Sequence, residues 1–278
     1  MGLELQKEIV AGYAFRNRPE LYLKVYQNDF NEYPDQRIRL DISKEILKKN
    51  KVKSILDVGC GSCVPLFELA KEGFTIKGID INPEMIKTGK VFLKSKGVNP
   101  ELVSCNILDN LKIDNKFDCV LNLGAFPHTK DDDRELELHS KFLKKKGKLI
   151  MELRNELFGM FTFNSYTMKF FDKLIPNMPE TVREFFKKRF LLGEPQAHFT
   201  DPYYKTNPRL HNPLTIGNIL KRNGFELDQI YFYHYHYLPP VFEKDYPDFN
   251  QKSLKLEEPS DWRGNFLASA FVVEATKL

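Results

Sequence analysis

The sequence predicts an α/β fold, with a mostly parallel, doubly wound sheet of seven strands. Three observations carry that expectation. Strand-like apolar runs alternate with helix-like segments from Ser54 onward, glycines fall at the junctions, and the alternation resumes after a long interruption near the end. Such βαβ alternation sets parallel strands side by side with helices on both faces of the sheet.

The first 50 residues read as helical. Leu3, Leu5, Ile9 and Val10 start an amphipathic pattern, and Pro19 opens a second helix, "PELYLKVYQNDF". A third, "DQRIRLDISKEILKKN", carries Ile38, Ile42, Ile46 and Leu47 on its apolar side. Strands are then expected at Ser54–Val58, Thr75–Ile79, Glu101–Ser104, Phe117–Leu123 and Lys148–Leu153. Helices are expected between them at Pro65–Lys71, Pro83–Lys96 and Asp131–Lys144. Gly59, Gly73, Gly97 and Gly147 mark junctions where tight backbone is wanted.

The regularity breaks between Asn155 and Asn212. That segment holds twelve aromatic residues from Phe158 to Tyr204, too many for a disordered linker, so it reads as a folded insertion or lid. A helix begun by Pro213 and stopped by Gly224 follows, then a strand "LDQIYFYHYHYL" and a last strand "NFLASAFVVEATKL". Strict alternation puts Tyr231, Tyr233, Tyr235 and Tyr237 on one face and Phe232, His234 and His236 on the other. The chain thus divides into an N-terminal helical cap (1–50), a core (51–154), an insertion or lid (155–212) and the C-terminal part of the core sheet (213–278).

Composition bounds the function. With 278 residues, 42% hydrophobic and 29% charged, the chain is ordinary for a soluble globular protein. A net charge of +4 from 42 basic and 38 acidic residues argues against nucleic acid as a partner. The runs "FFKKRF" and "KKKGK" are most simply solvated faces. No apolar run approaches the roughly 18–20 residues of a membrane span, and "MGLELQKEIV" has no export signal. Four cysteines without an export signal suggest reduced thiols in the cytoplasm. A monomer or homodimer is expected.

The stretch "SILDVGCGSCVPLFELA" places Asp57, Gly59, Cys60 and Gly61 where a strand becomes a helix, with Pro65 in the first helical turn. Glycines let backbone approach a ligand, and the helix start offers free N–H groups. The next strand ends in Asp80, where a carboxylate can take two ribose hydroxyls. Together these features indicate an adenosine-containing ligand. A phosphate-cradling loop would need a lysine that is absent here. Cys60, Cys63, Cys105 and Cys119 can be drawn as a four-thiolate metal site, but Cys119 falls inside a strand, so small core residues are the simpler reading and no metal is expected.

"LDVGCGSC" followed by "GIDINPEMI" closely resembles class I S-adenosylmethionine-dependent methyltransferases of the small-molecule type, which are Rossmann-like. The resemblance spans roughly Ser54 to Leu153 and continues in "LVSCNILD", "FDCVLNLGAFPHT" and "FLKKKGKLIMEL". It implies S-adenosyl-L-methionine as cofactor, held by Asp57, Gly59, Cys60, Gly61, Asp80, Ile81, Met85, Asn106, Ile107, Asn122 and Leu123, with Asn106 and Ile107 meeting the adenine. Cys63 stands where the family often has a third glycine, and Asn106 where it often has Asp. The resemblance places the acceptor after the fourth strand. There His128 is the candidate base and Arg154, at the end of the fifth strand, a candidate acceptor contact.

"DDDRELE", Asp131–Glu137, reads as a helix N-terminus, with a divalent-ion site as the alternative. "DPYY", Asp201–Tyr204, resembles the signature of base-modifying amino methyltransferases but lies in the insertion rather than after the fourth strand. The expected function is methylation of a small-molecule acceptor at oxygen, nitrogen or carbon, such as a sugar, nucleotide-sugar or secondary metabolite. The alternatives are an RNA or protein methyltransferase and a non-catalytic cofactor-binding partner protein.

Overall fold

The computed structural model describes residues 33–108, 116–190 and 208–278. The two helices expected before residue 33 and the "DPYY" stretch lie outside these residues. The described chain begins with helix α1 (Asp35–Lys49). Asp35 in its first turn and Lys48 and Lys49 in its last complement the helix dipole.

The alternation follows as β1 (Ser54–Val58), α2 (Val64–Lys71), β2 (Thr75–Asp80), α3 (Pro83–Ser95), β3 (Glu101–Ser104), β4 (Phe117–Asn122), α4 (Asp132–Phe142) and β5 (Leu143–Asn155). The insertion contributes a 3-10 turn (Leu157–Phe161), α5 (Ser165–Leu174) and α6 (Glu180–Phe190). Then come β6 (Leu210–His211), α7 (Ile216–Arg222), β7 (Phe225–Tyr235), α8 (Phe249–Leu254), a helical turn α9 (Gly264–Leu267) and β8 (Ala268–Lys277).

Seven strands form the path β3-β2-β1-β4-β5-β8-β7, and the eighth, two-residue β6, pairs off that path with the end of β5. β8 runs antiparallel between β5 and β7, while β1 through β5 pair in parallel. The strand order reverses between β1 and β4, which opens a crevice beyond their carboxyl ends. The glycine loop after β1 lies there.

Successive residues of the central strands serve opposite faces. Leu56, Leu149, Met151 and Val273 belong to one core cluster, and Ile55, Ile150 and Val272 to the other. Burial on both sides is why these strands read as unbroken apolar runs. α1 closes the second face through Ile42, Ile46 and Leu47.

Some expectations shift. β5 begins at Leu143 rather than Lys148, because Leu143 pairs with Phe117 and the register slips between Phe117 and Cys119. The preceding helix accordingly ends at Phe142. The helix expected from Pro213 starts at Ile216. The tyrosine alternation also breaks. His234 takes left-handed backbone at φ +61°, and Tyr235 packs in the cluster that holds Phe232, whereas Tyr231 and Tyr233 pack with the other.

Candidate active site

The glycine loop is built by strand ends. Gly59 and Cys60 donate backbone hydrogen bonds to the Ile79 carbonyl at 2.8 and 3.0 Å, tying the loop to the end of β2. Gly59 at φ +76° and Gly61 at φ +52° use left-handed backbone, as does Cys63 at φ +69° just before α2. The Asp80 carboxylate holds the turn from below. It accepts from the Gly61 N–H and the Asn82 N–H, each at 2.8 Å. Asn82 in turn caps α3 by accepting from Glu84 N–H. Each Asp80 oxygen keeps a further lone pair, so the carboxylate still has capacity for hydroxyl donors.

The loop cysteines fill tight contacts. A side chain at Gly78 would meet the Cys60 sulfur at 2.9 Å, and one at Gly89 would meet the Cys63 sulfur at 2.5 Å. The two sulfurs lie 3.9 Å apart, both buried. Cys119 sits in β4 within the same core cluster. Among the described residues, no group of three or more His, Cys, Asp or Glu is placed to hold a metal ion.

Asp57, next to last in β1, is buried. Burial pushes its carboxyl up to about 7, aided by neighbouring Asp80 and opposed by Arg39. Met85 is buried on α3. Ile81 is half-buried after β2, and the half-buried Asn106 accepts from the Leu108 N–H beside buried Ile107. Ser62 contributes a hydroxyl with no hydrogen-bond partner among the described residues, although it is fully buried. An orphaned hydroxyl beside left-handed glycines fits a ligand that brings its own polar groups to the loop.

Beyond β4, residues 123–129 form the opposite wall. Buried Leu123 leads into Gly124 at φ +106°. This loop packs directly on the glycine loop, since a side chain at Gly59 would stand 2.4 Å from the Ala125 β-carbon. The Asn122 side chain turns inward. Its carbonyl oxygen accepts from Ala125 and Phe126 N–H, and its amide donates to Glu135 at 2.9 Å. Glu135, buried on α4, also accepts from the Thr129 hydroxyl, so one carboxylate grips both ends of the loop.

Within that grip lies the 3-10 turn Phe126–His128. Burial, together with Arg154 and Arg209, pushes His128 down to about 4, so its ring is neutral at neutral pH. Its Nδ1 is buried and has no hydrogen-bond partner among the described residues. The returning segment before β6 pins the turn from outside. Arg209 donates from its backbone to the Pro127 carbonyl at 2.8 Å and from its guanidinium to the Phe126 carbonyl at 3.0 Å. Asp132 pairs with Arg209 and His211, and Asp133 with Arg222. The acidic run thus caps α4 and anchors its neighbours, with Asp131 accepting from the Arg134 N–H.

Burial also raises Glu135 to about 7, while its bonds from Thr129 and Asn122 pull the other way. The folded protein therefore holds this proton after the unfolded chain has lost it. The stabilisation is fully present in acid and is lost as pH rises through about 7. Glu135→Gln keeps a partner for both Thr129 and Asn122 and mimics the protonated form. Urea unfolding of this variant should show a shallower fall in stability between about pH 5 and pH 7, by up to about 1.4 kcal/mol per pH unit. An unchanged slope would mean that Glu135 does not carry it.

Sequence reasoning missed the charged cluster under this edge. Arg39 of α1 and Glu152 of β5 form an ion pair 113 positions apart, both essentially inaccessible. Gly124 makes room, since a side chain there would meet Glu152 Oε2 at 3.2 Å and Arg39 Nη1 at 3.3 Å. Burial would raise Glu152, but Arg154 and Arg39 hold it down to about 2. Signals for the pair existed. Glu152 interrupts the apolar run "LIMEL", and Arg39 lies on the α1 stripe three residues before Ile42. Asn155, at the same edge, spends its amide on the Gly264, Asn265 and Ala268 carbonyls.

Comparison with known proteins places this architecture. Residues 49–189 match the family described as "Methyltransferase domain", and the chain belongs to that family. The "Ubiquinone biosynthesis O-methyltransferase" of Pelagibacter ubique (strain HTCC1062) is 27% identical over 151 residues, 50% of this chain and 61% of the relative. The chain spans about three-fifths of the length of that relative. Magnesium protoporphyrin IX methyltransferase from Synechocystis PCC 6803, crystallised with bound SAH, superimposes with a TM-score of 0.58 at 15% identity, covering 98% of this chain and 100% of the other. The cyclase SpnF superimposes with a TM-score of 0.60 at 14% identity, covering 96% and 95%. These likenesses establish a Rossmann-like methyltransferase fold. Among the described residues, no helix is long and apolar enough to cross a membrane.

Proposed function

We propose that the protein transfers a methyl group from S-adenosyl-L-methionine to a hydroxyl of a small-molecule acceptor. One observation carries this reading. The glycine loop after β1 is clamped by Asp80 at the end of β2, and it faces the wall holding His128 across the strand-order reversal. The name of the ubiquinone-biosynthesis relatives supports oxygen as the methylated atom.

When bound, S-adenosylmethionine supplies a methyl already activated on a sulfonium, so the chain needs chiefly to orient and enclose. Asp80 holds the ribose hydroxyls. Asp57, Gly59, Cys60, Gly61 and the Ser62 hydroxyl line the loop end, Ile81, Met85, Asn106 and Ile107 enclose the adenine side, and Leu123 closes the floor. Asn122 acts through the loop that it folds. His128, neutral at neutral pH, accepts the hydroxyl proton as the methyl moves. Arg154 holds the acceptor from β5.

In this reading residues 1–50 cap the site, 51–154 form the cofactor core, 155–212 cover the acceptor and 213–278 complete the sheet. The contact of Arg209 with the Phe126–His128 turn supports the cover. The protein acts in the cytoplasm as a monomer or homodimer.

Calorimetry with S-adenosylmethionine and S-adenosylhomocysteine tests the proposal, and failure to bind either ends it. Asp80→Ala should weaken binding by about 1–3 kcal/mol, because it leaves hydroxyls unpaired. Wild-type affinity in that variant would remove Asp80 from the ribose.

A further inference from the structure

Arg154 ends β5 with its guanidinium almost idle. Its side chain is 27% accessible, and its one ion pair among the described residues is Nε to Glu152 Oε1 at 3.5 Å. It donates no hydrogen bond among the described residues, although a guanidinium carries five N–H donors in a planar fork. Glu152 is already committed to Arg39 through its other oxygen. Among the described residues the other carboxyl near Arg154 is Asp35, which accepts from the Gln36 N–H. Arg209 is spoken for by Asp132. Among the described residues, Arg154 at the edge of β5 thus meets its nearest carboxylate only at long range and leaves its N–H fork unfilled.

The same charge reaches His128. The turn Phe126–His128 packs against β5, and Arg154 is among the groups that disfavour a charged His128 ring. Two demands unmet among the described residues thus stand together: a planar cation without hydrogen bonds, and a buried ring nitrogen without a partner. A neutral acceptor could fill part of the fork but would leave the charge unmatched, and a cationic one would be repelled.

Building on the reading of this edge as the acceptor site, we infer that the acceptor is an anion, whose carboxylate docks on the Arg154 fork beside His128. A carboxylate matches the fork through two parallel N–H···O bonds, which a neutral amide of the same shape cannot reproduce. The positive field of Arg154 also draws an anionic group to this edge as the acceptor enters. An amine acceptor, cationic before reaction, is disfavoured by the same field.

Benzoate and benzamide, planar probes of equal size that differ in charge, test this by calorimetry or ligand-observed NMR. Wild-type protein should bind benzoate at least roughly tenfold more tightly than benzamide, about the worth of one charge-assisted contact. Arg154→Gln should abolish the preference, and Arg154→Lys, which keeps charge without the fork, should retain part of it. Equal affinities, binding of neither probe, or a preference that survives in Arg154→Gln would overturn the inference. Circular dichroism shows whether each variant is folded, and Arg154→Lys decides the matter if Arg154→Gln is not. Titrations run with and without S-adenosylhomocysteine separate the two ideas. Loss of nucleoside binding with the benzoate preference intact removes the methyltransferase reading. Nucleoside binding without the preference removes only the carboxylate.

Discussion

Replacing Arg39 by methionine is expected to destabilise the protein by about 3–5 kcal/mol, the largest effect of any single change considered. The substitution leaves the Glu152 carboxylate at 0% exposure with the longer contact to Arg154 and the neutral Tyr233 hydroxyl in place of its close cation. The cost is the unpaired buried charge rather than the net worth of the pair. The double variant Arg39→Met/Glu152→Leu should therefore recover most of the loss, because two apolar side chains replace the pair and Arg154 can turn to water. Urea unfolding of the two singles and the double closes the cycle. A double variant as unstable as Arg39→Met would show that Arg39 acts through packing or through Asp57 instead.

Gly59→Ala is expected to cost about 2–4 kcal/mol and to abolish nucleoside binding. Two penalties combine: left-handed backbone at φ +76°, and a new β-carbon 2.4 Å from that of Ala125. Gly97→Ala separates them. Gly97 has a similar φ of +73° but nothing within 4 Å of the added carbon, so it should lose only the backbone term, about 1 kcal/mol. If both variants unfold at the same urea concentration and bind S-adenosylhomocysteine alike, the two loops do not close on one another as described.

Local order was readable from the sequence where local rules decide it. β1 and β3 fall on the expected residues because each is a short apolar run bounded by turn formers. The loop between β1 and α2 was equally legible, since its glycines and Pro65 leave few backbone solutions. What escaped depends on distant partners. Lys144 to Lys146 look like a basic turn, yet β5 starts before them because Phe117 lies opposite Leu143. β6 has only two residues and exists through its pairing with Arg154 and Asn155. The Arg39–Glu152 pair joins residues that no local window contains. At the site, the family resemblance implied Asn122 as a ligand contact. Its side chain bonds Glu135, Ala125 and Phe126 and so folds the loop, a role visible only once Glu135 is in place.

The strap that ends the insertion has a consequence in thermodynamic linkage. Arg209 binds the Phe126 and Pro127 carbonyls, so docking of that short strand and ordering of the His128 turn draw on the same hydrogen bonds. Two equilibria that share bonds are reciprocally coupled. Whatever steadies the turn also holds the strap down, and whatever lifts the strap loosens the histidine. The end of the insertion thus communicates with the Phe126–His128 turn through backbone carbonyls, whichever side chains line it.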